Sequence, residues 1–293
     1  MQAAQLRHHQ EQSQYPGTAR ALQVLPLVST AHQASRDSLA IERFEGREYG
    51  PFSLRVCREK VDEFVAATGD DPARWTECAP PGWAAVALFV VAPHLLGDPD
   101  LGEVTRSVIH GEQRFSWSGP IAIETELSVR GRITRIRERG GVWFVGFDLE
   151  AGPLRGASSF LMSGTAAPGG QSVEVAEQGP REKETGEFSA SRSDLIRYAA
   201  ATRDWNPIHW DHQSAVQAGL GGIAVHGLLQ AAWMLRHVLS GSARQIAEAR
   251  FRFRSPLLAG EKAEIVAQNG DHQITVRLAR GDRELVAASL VLA

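Results

Sequence analysis

The chain has 293 residues, 43% of them hydrophobic and 22% charged, with a formal net charge of −3. That length holds two ordinary domains or one large one, each with a real core. The near-neutral balance gives no electrostatic case for nucleic acid or an anionic membrane as partner. The two cysteines, Cys57 and Cys78, form no CxxC and no paired framework, which fits a reducing compartment. No run reaches the roughly 18 apolar residues of a membrane span. Leu22–Val28 is too short, and too interrupted by Pro26, for a signal peptide. A soluble, cytoplasmic protein is expected.

In chain order, residues 1–45 are rich in Gln, His, Ala and Ser without an apolar period, and are expected to form a partly disordered extension. A first domain is expected over 46–165. Its segment Trp83–Leu96 is apolar on most sides, as in a helix buried all round. Pro93 is expected to kink or end that helix. Gly82, Ala84, Ala85 and Ala87 are expected to leave space beside it for a long acyl group. Period-two alternation marks strands over Ile121–Ile136, Val142–Leu149 and Ala157–Met162. Residues 166–186, with Pro168-Gly169-Gly170 and Gly179-Pro180, have the composition of a linker.

A second domain is expected over 187–293. Ser193-Asp194 forms an N-cap region before a helix over Leu195–Ala201. Pro207 pushes Asn206 out of helical geometry and can open a new turn itself. A second apolar segment, Gly227–Leu239, precedes strands at Ala249–Leu257, Ala263–Gln268, Gln273–Leu278 and Glu284–Leu292. The two domains repeat each other. Val61–Asp70 aligns with Leu195–Asp204, and Arg114–Ile121 with Arg250–Leu257. A long buried helix followed by antiparallel strands implies an α+β layer with the sheet wrapped around the helix, twice over.

The chemistry is concentrated in Asp204-Trp205-Asn206-Pro207-Ile208-His209, and in His226-Gly227 at the start of the second apolar segment. A carboxylate and an imidazole on either side of a bend suit proton transfer, because burial and neighbours tune both towards neutrality. A Gly227 N–H at a helix N-terminus would serve as an oxyanion donor. Tyr198, Asp204, Asn206, Pro207, His209, Asp211 and His226-Gly227 together resemble the MaoC-like family of (R)-specific enoyl-thioester hydratases and 3-hydroxyacyl dehydratases.

The resemblance covers about residues 50 to 293 and implies a double hotdog, two tandem hotdog domains in one chain. It also implies a shared catalytic water on Asp204 and His209, an orienting Asn206 and a carbonyl-binding Gly227. The family usually has glycine before the aspartate, where this chain has Arg203. The first domain keeps Gly69 but lacks the Asn and the His in Asp70–Arg74, so one active site per chain is expected.

His226 is expected to fix the loop that presents Gly227, and Trp205 to help wall the acyl pocket. Arg252 and Arg254, which share a strand face with Arg250, match the phosphates of a phosphopantetheine or nucleotide carrier. The bland alternatives are a terminus cap for Asp204, a satisfied core histidine for His209 and an ordinary charged face for the arginines. His209-x-x-His212 lacks a clear third and fourth ligand, so no metal is expected, and no cofactor. The expected activity is hydration of a trans-2-enoyl thioester, or its reverse, with coenzyme A or an acyl carrier protein as carrier. A hotdog thioester hydrolase and a non-catalytic thioester-binding subunit are the rivals. Two hotdogs already supply a dimer-like unit, and further pairing into a homodimer stays open.

Overall fold

The computed structural model describes residues 41–102, 104–164, 184–240, 245–270 and 273–293. Residues 1–40 of the expected N-terminal extension and most of the expected linker lie outside them, whereas the end of that extension belongs to the fold: Ile41 is buried and Phe44 packs against the core. Residues 184–186, assigned to the linker from composition, belong to a strand, Glu184–Phe188, that pairs with Ala263–Ala267.

The first half runs β1 (Glu48–Val56), α1 (Arg58–Thr68), α2 (Ala84–Leu96), β2 (Ser107–Trp117), β3 (Thr125–Arg139), β4 (Val142–Ala151) and β5 (Leu154–Ser163). The second repeats it: β6 (Glu184–Phe188), α3 (Arg192–Thr202), a short α4 (His212–Gln217), α5 (Gly227–Leu239), β7 (Ile246–Phe253), β8 (Ala263–Asn269), β9 (Ile274–Arg280) and β10 (Arg283–Leu292). The strands make one antiparallel sheet in the order β1-β3-β4-β5-β2-β7-β10-β9-β8-β6. Each half therefore orders its strands first, third, fourth, fifth, second. The second strands, β2 and β7, meet at the junction, where Arg114 pairs with Arg250. This is the double hotdog.

The core explains the apolar helices. α2 buries Ala84 to Leu88, Val91, Ala92 and Leu95, and α5 buries Leu228 to Leu235 and Leu239. Strands such as β4, with alternating burial, wrap those helices with one face each. Packing of this kind, more than intrinsic propensity, stabilises such helices.

Three expectations need correction. Pro93 does not end α2, which continues for three more residues to Leu96. The small residues do not leave space: Ala84, Ala85 and Ala87 are buried, and a Cβ on Gly82 would meet Ala232 Cβ at 3.1 Å. The strand predicted at Ile121 begins at Thr125, after the turn that follows Pro120, and β1 and β6 had no clear sequence signal.

Candidate active site

The second half builds its polar site at successive breaks in the chain. α3 is capped by Ser191, two residues before the expected cap. Its hydroxyl accepts the Asp194 N–H at 3.3 Å, and the Asp194 carboxylate returns a bond to the Ser191 N–H at 2.9 Å. The helix ends at Arg203 in the left-handed region, φ 67°, where the first half has Gly69 at φ 66°. A side chain there costs about 1–2 kcal/mol. Arg203 is exposed, as a solvent-facing side chain would be.

The turn carries Asp204 into a buried position, 8% exposed. Asn206 is extended at ψ 122°, as a residue before proline must be, and caps a one-turn 3₁₀ helix, Pro207–His209, by accepting the Ile208 N–H at 3.4 Å. That turn delivers His209, also 8% exposed.

Hydrogen bonds fix both imidazoles. His209 Nδ1 donates to the Ala224 carbonyl at 2.8 Å, which leaves Nε2 with its lone pair. His226 Nε2 donates to the Asp204 carbonyl at 3.2 Å, so His226 ties the Asp204 turn to the start of α5. The two rings stack at 3.9 Å with planes 25° apart. A carboxylate oxygen of Asp204 and one nitrogen of each histidine lie within 4.8 Å of one another. Near-parallel stacked rings do not aim their in-plane lone pairs at one point, so the trio suits proton transfer better than metal ligation.

Burial raises the pKa of Asp204 above the usual carboxylate value, against the pull of His209 and the Asn206 N–H. Burial, reinforced by His209, holds His226 well below the usual imidazole value, so it stays neutral. Gly227 opens α5, and His226 supplies no side-chain cap to its first turn. A Cβ on Gly227 would lie 3.0 Å from Phe253 Cε1, so the space made by the missing side chain is filled by that ring.

The corresponding place in the first half carries different residues. The Ala79 N–H bonds the Ile121 carbonyl at 2.9 Å just as Val225 bonds Leu257 at 2.7 Å, which puts Pro80-Pro81 in register with His226-Gly227. Proline has no N–H to offer an oxyanion. Asp71 caps the 3₁₀ turn Pro72–Arg74 as Asn206 caps its own, and this places Arg74 where the second half has His209. Asp70 persists, bonded by Trp75 Nε1 at 3.0 Å.

The remaining expected site residues are not drawn into the trio. Trp205 is 49% exposed, and its carbonyl accepts Trp210 Nε1 at 3.1 Å. Arg252 pairs with Glu112 at 3.3 Å, beside the bidentate Arg250–Glu112 pair, and Arg254 pairs with Glu284 at 2.6 Å.

Several polar atoms around the site, two of them on residues without an expected role, Tyr198 and Gln230, are left unsatisfied. The Tyr198 hydroxyl, His226 Nδ1 and Gln230 Oε1 are buried without a hydrogen-bond partner among the described residues. Such groups cost about 1–3 kcal/mol each and cluster where ligands act. Gln230 was findable as the lone polar side chain in the apolar run from Leu228 to Leu235. His110 was not, because it comes from β2 of the other half. Its ring lies 5.0 Å from Phe253, its Nε2 donates to Gln113 Oε1 at 3.1 Å, and burial pushes its pKa down to about 4.

The fold is a double hotdog, and among the described residues Asp204, His209 and His226 form a buried polar cluster in its second half. A model described as "MaoC like domain" matches residues 172–287, and one described as "FAS1-like, dehydratase domain region" matches residues 43–151. A UPF0336 protein of Streptomyces coelicolor is 32% identical over 109 residues, which cover 33% of this chain and 73% of that protein. A mitochondrial 3-hydroxyacyl-[acyl-carrier-protein] dehydratase of Arabidopsis thaliana is 35% identical over 83 residues, 27% of this chain and 48% of that one.

Among solved structures, HtdX of Mycobacterium tuberculosis superposes with a TM-score of 0.68 at 20% identity, covering 83% of this chain and 99% of HtdX. Another protein of that organism, described as having a double hotdog fold, gives 0.58 at 11% identity, covering 85% and 96%. The chain belongs to the MaoC-like dehydratase family, whose activity in general is that of a hydro-lyase. No helix among the described residues is long and apolar enough to cross a membrane.

Proposed function

We propose that the chain interconverts a trans-2-enoyl thioester and an (R)-3-hydroxyacyl thioester at a single site in its second half. The observation that carries this reading is the asymmetry of the repeat. Asp204, His209 and the uncapped start of α5 at Gly227 are grouped in one half, while Arg74 and Pro80-Pro81 stand in their places in the other.

In hydration, a water between the Asp204 carboxylate and His209 Nε2 gives a proton to this pair as its oxygen bonds to C3. The C2–C3 π electrons move towards the thioester, and the Gly227 N–H at the positive end of α5 stabilises the enolate-like oxygen. The pair returns the proton to C2, which completes addition of one water; dehydration runs the same steps backwards. Asn206 acts through the turn it caps, and His226 through its bond to the Asp204 carbonyl. Arg254, paired with Glu284, would have to exchange partners to hold a carrier phosphate, whereas Arg252 only shares Glu112 with Arg250 and keeps charge to offer.

The test is incubation with enoyl-CoA substrates of graded chain length, followed by loss of enoyl absorbance and by thiol release. Hydration without thiol release supports the reading. Thiol release from a saturated acyl-CoA would replace it with a hydrolase.

A further inference from the structure

A cavity of about 400 Å³ lies away from Asp204 and His209, in the first half. The repeat explains its position. It is lined by Arg74, Ala79, Pro81 and Trp117, which stand in register with His209, Val225, Gly227 and Phe253. Across the junction it is closed by Ile246 of β7, the counterpart of His110 on β2. It is the first half's version of the catalytic cleft, with the chemistry taken out. The imidazole has become a guanidinium, the oxyanion N–H has become Pro81, and the surviving carboxylate, Asp70, is held by Trp75.

The removal of catalysis has not closed the space, whose volume is typical of a small-molecule pocket, about 300–1,000 Å³. Nor has it removed hydrogen-bonding capacity. Trp117, aromatic like Phe253, adds an indole N–H that is buried and has no partner among the described residues. Leaving such a donor unmet costs about 1–3 kcal/mol, which an acceptor on a ligand would recover. Arg74 brings a positive charge to the same wall while one of its nitrogens donates to the Leu239 carbonyl at 2.6 Å. Trp75, Pro81, Ile121 and Ile246 make much of the remainder apolar. An indole donor and a cation set in an apolar wall fit an apolar chain headed by an oxygen acceptor.

We propose that this cleft is a non-catalytic binding site for an acyl chain headed by a carboxylate or thioester oxygen. The thioester source rests on the function proposed above; the carboxylate source does not. Binding to the full chain is measured by calorimetry with two probes, decanoyl-CoA, which is saturated and cannot be hydrated, and decanoate. Gly119 lines the cavity, and a Cβ there meets nothing within 4 Å, so Gly119→Trp fills the space without a clash at the backbone. Trp117→Phe keeps the ring and removes the donor.

The wild type is expected to bind at least one probe in this cleft. Gly119→Trp should abolish that binding while crotonyl-CoA turnover stays within about twofold, and Trp117→Phe should weaken it about tenfold. Loss of decanoate binding alone identifies the free acid as the source, and loss of one of two decanoyl-CoA sites identifies the thioester. Unchanged site numbers and affinities in both variants, or no binding of either probe beyond the catalytic site, would overturn the proposal. A wild type that leaves enoyl-CoA unhydrated refutes the function proposed above, and the decanoate comparison still decides the cleft.

Discussion

Gly227→Pro removes a single N–H from the position assigned to the oxyanion. Proline is favoured at the first position of a helix, where the N–H has no partner within the helix. The first half carries this very residue, Pro81, in register with Gly227 and folds around it. The substitution also adds a Cβ, which would lie 3.0 and 3.1 Å from Phe253 ring carbons, so the ring must shift by a few tenths of an ångström. Gly227→Ala imposes that same shift and keeps the N–H, so the difference between the two variants isolates the donor. Loss of one oxyanion donor costs about 10²–10³ in turnover, or about 2.7–4 kcal/mol. Steady-state hydration kinetics with circular dichroism on all three proteins should give a modest loss for alanine and a further loss of about that size for proline. Equal turnover in folded Gly227→Ala and Gly227→Pro would refute the oxyanion assignment.

Arg203→Gly should stabilise the protein by about 0.5–1 kcal/mol, because relief of left-handed strain, about 1–2 kcal/mol, exceeds the added unfolded-state entropy of glycine. Urea unfolding measures this, and KM should not change; a raised KM would show that Arg203 holds substrate. The raised pKa of Asp204 places the acid limb of kcat/KM above the ordinary aspartate value, since the base form is lost as pH falls through it. The same shift has a stability consequence. A carboxyl whose folded pKa exceeds its unfolded pKa favours folding at low pH and loses that contribution as pH rises through the folded value. Relative to the wild type, Asp204→Asn should therefore gain stability as pH is raised from below the ordinary aspartate value to neutrality; chemical unfolding across that range that showed a pH-independent difference between the two proteins would contradict the burial argument.

Much of this was legible in the sequence because local rules and tertiary packing agreed. The period-two strands, the all-round apolar helices and the constraint that Pro207 puts on Asn206 each follow from a few residues, and each is present in the fold. The repeat also showed where the halves differ, because Asp70–Arg74 has neither the Asn nor the His of its counterpart. Readings that depended on packing between distant elements failed. The small residues before and within α2 looked like spare volume, but Ala232 of α5 and the sheet fill it. The partners of the three alternating arginines, Glu112 on β2 and Glu284 on β10, were likewise not visible in the sequence. His110 had no signal at all, because its relevance arises only when β2 and β7 pair. The equivalence of Pro80-Pro81 with His226-Gly227 could have been found by extending the repeat alignment back from Ile121.

The most direct measurement is hydration of crotonyl-CoA and longer enoyl-CoA substrates by the wild type, His209→Ala and Asp204→Asn in parallel, each checked for folding. The acid–base account predicts turnover by the wild type and a loss of about 10²–10⁴-fold in either variant. Turnover near the wild-type rate in folded His209→Ala, or no hydration of any chain length by the wild type, would contradict it.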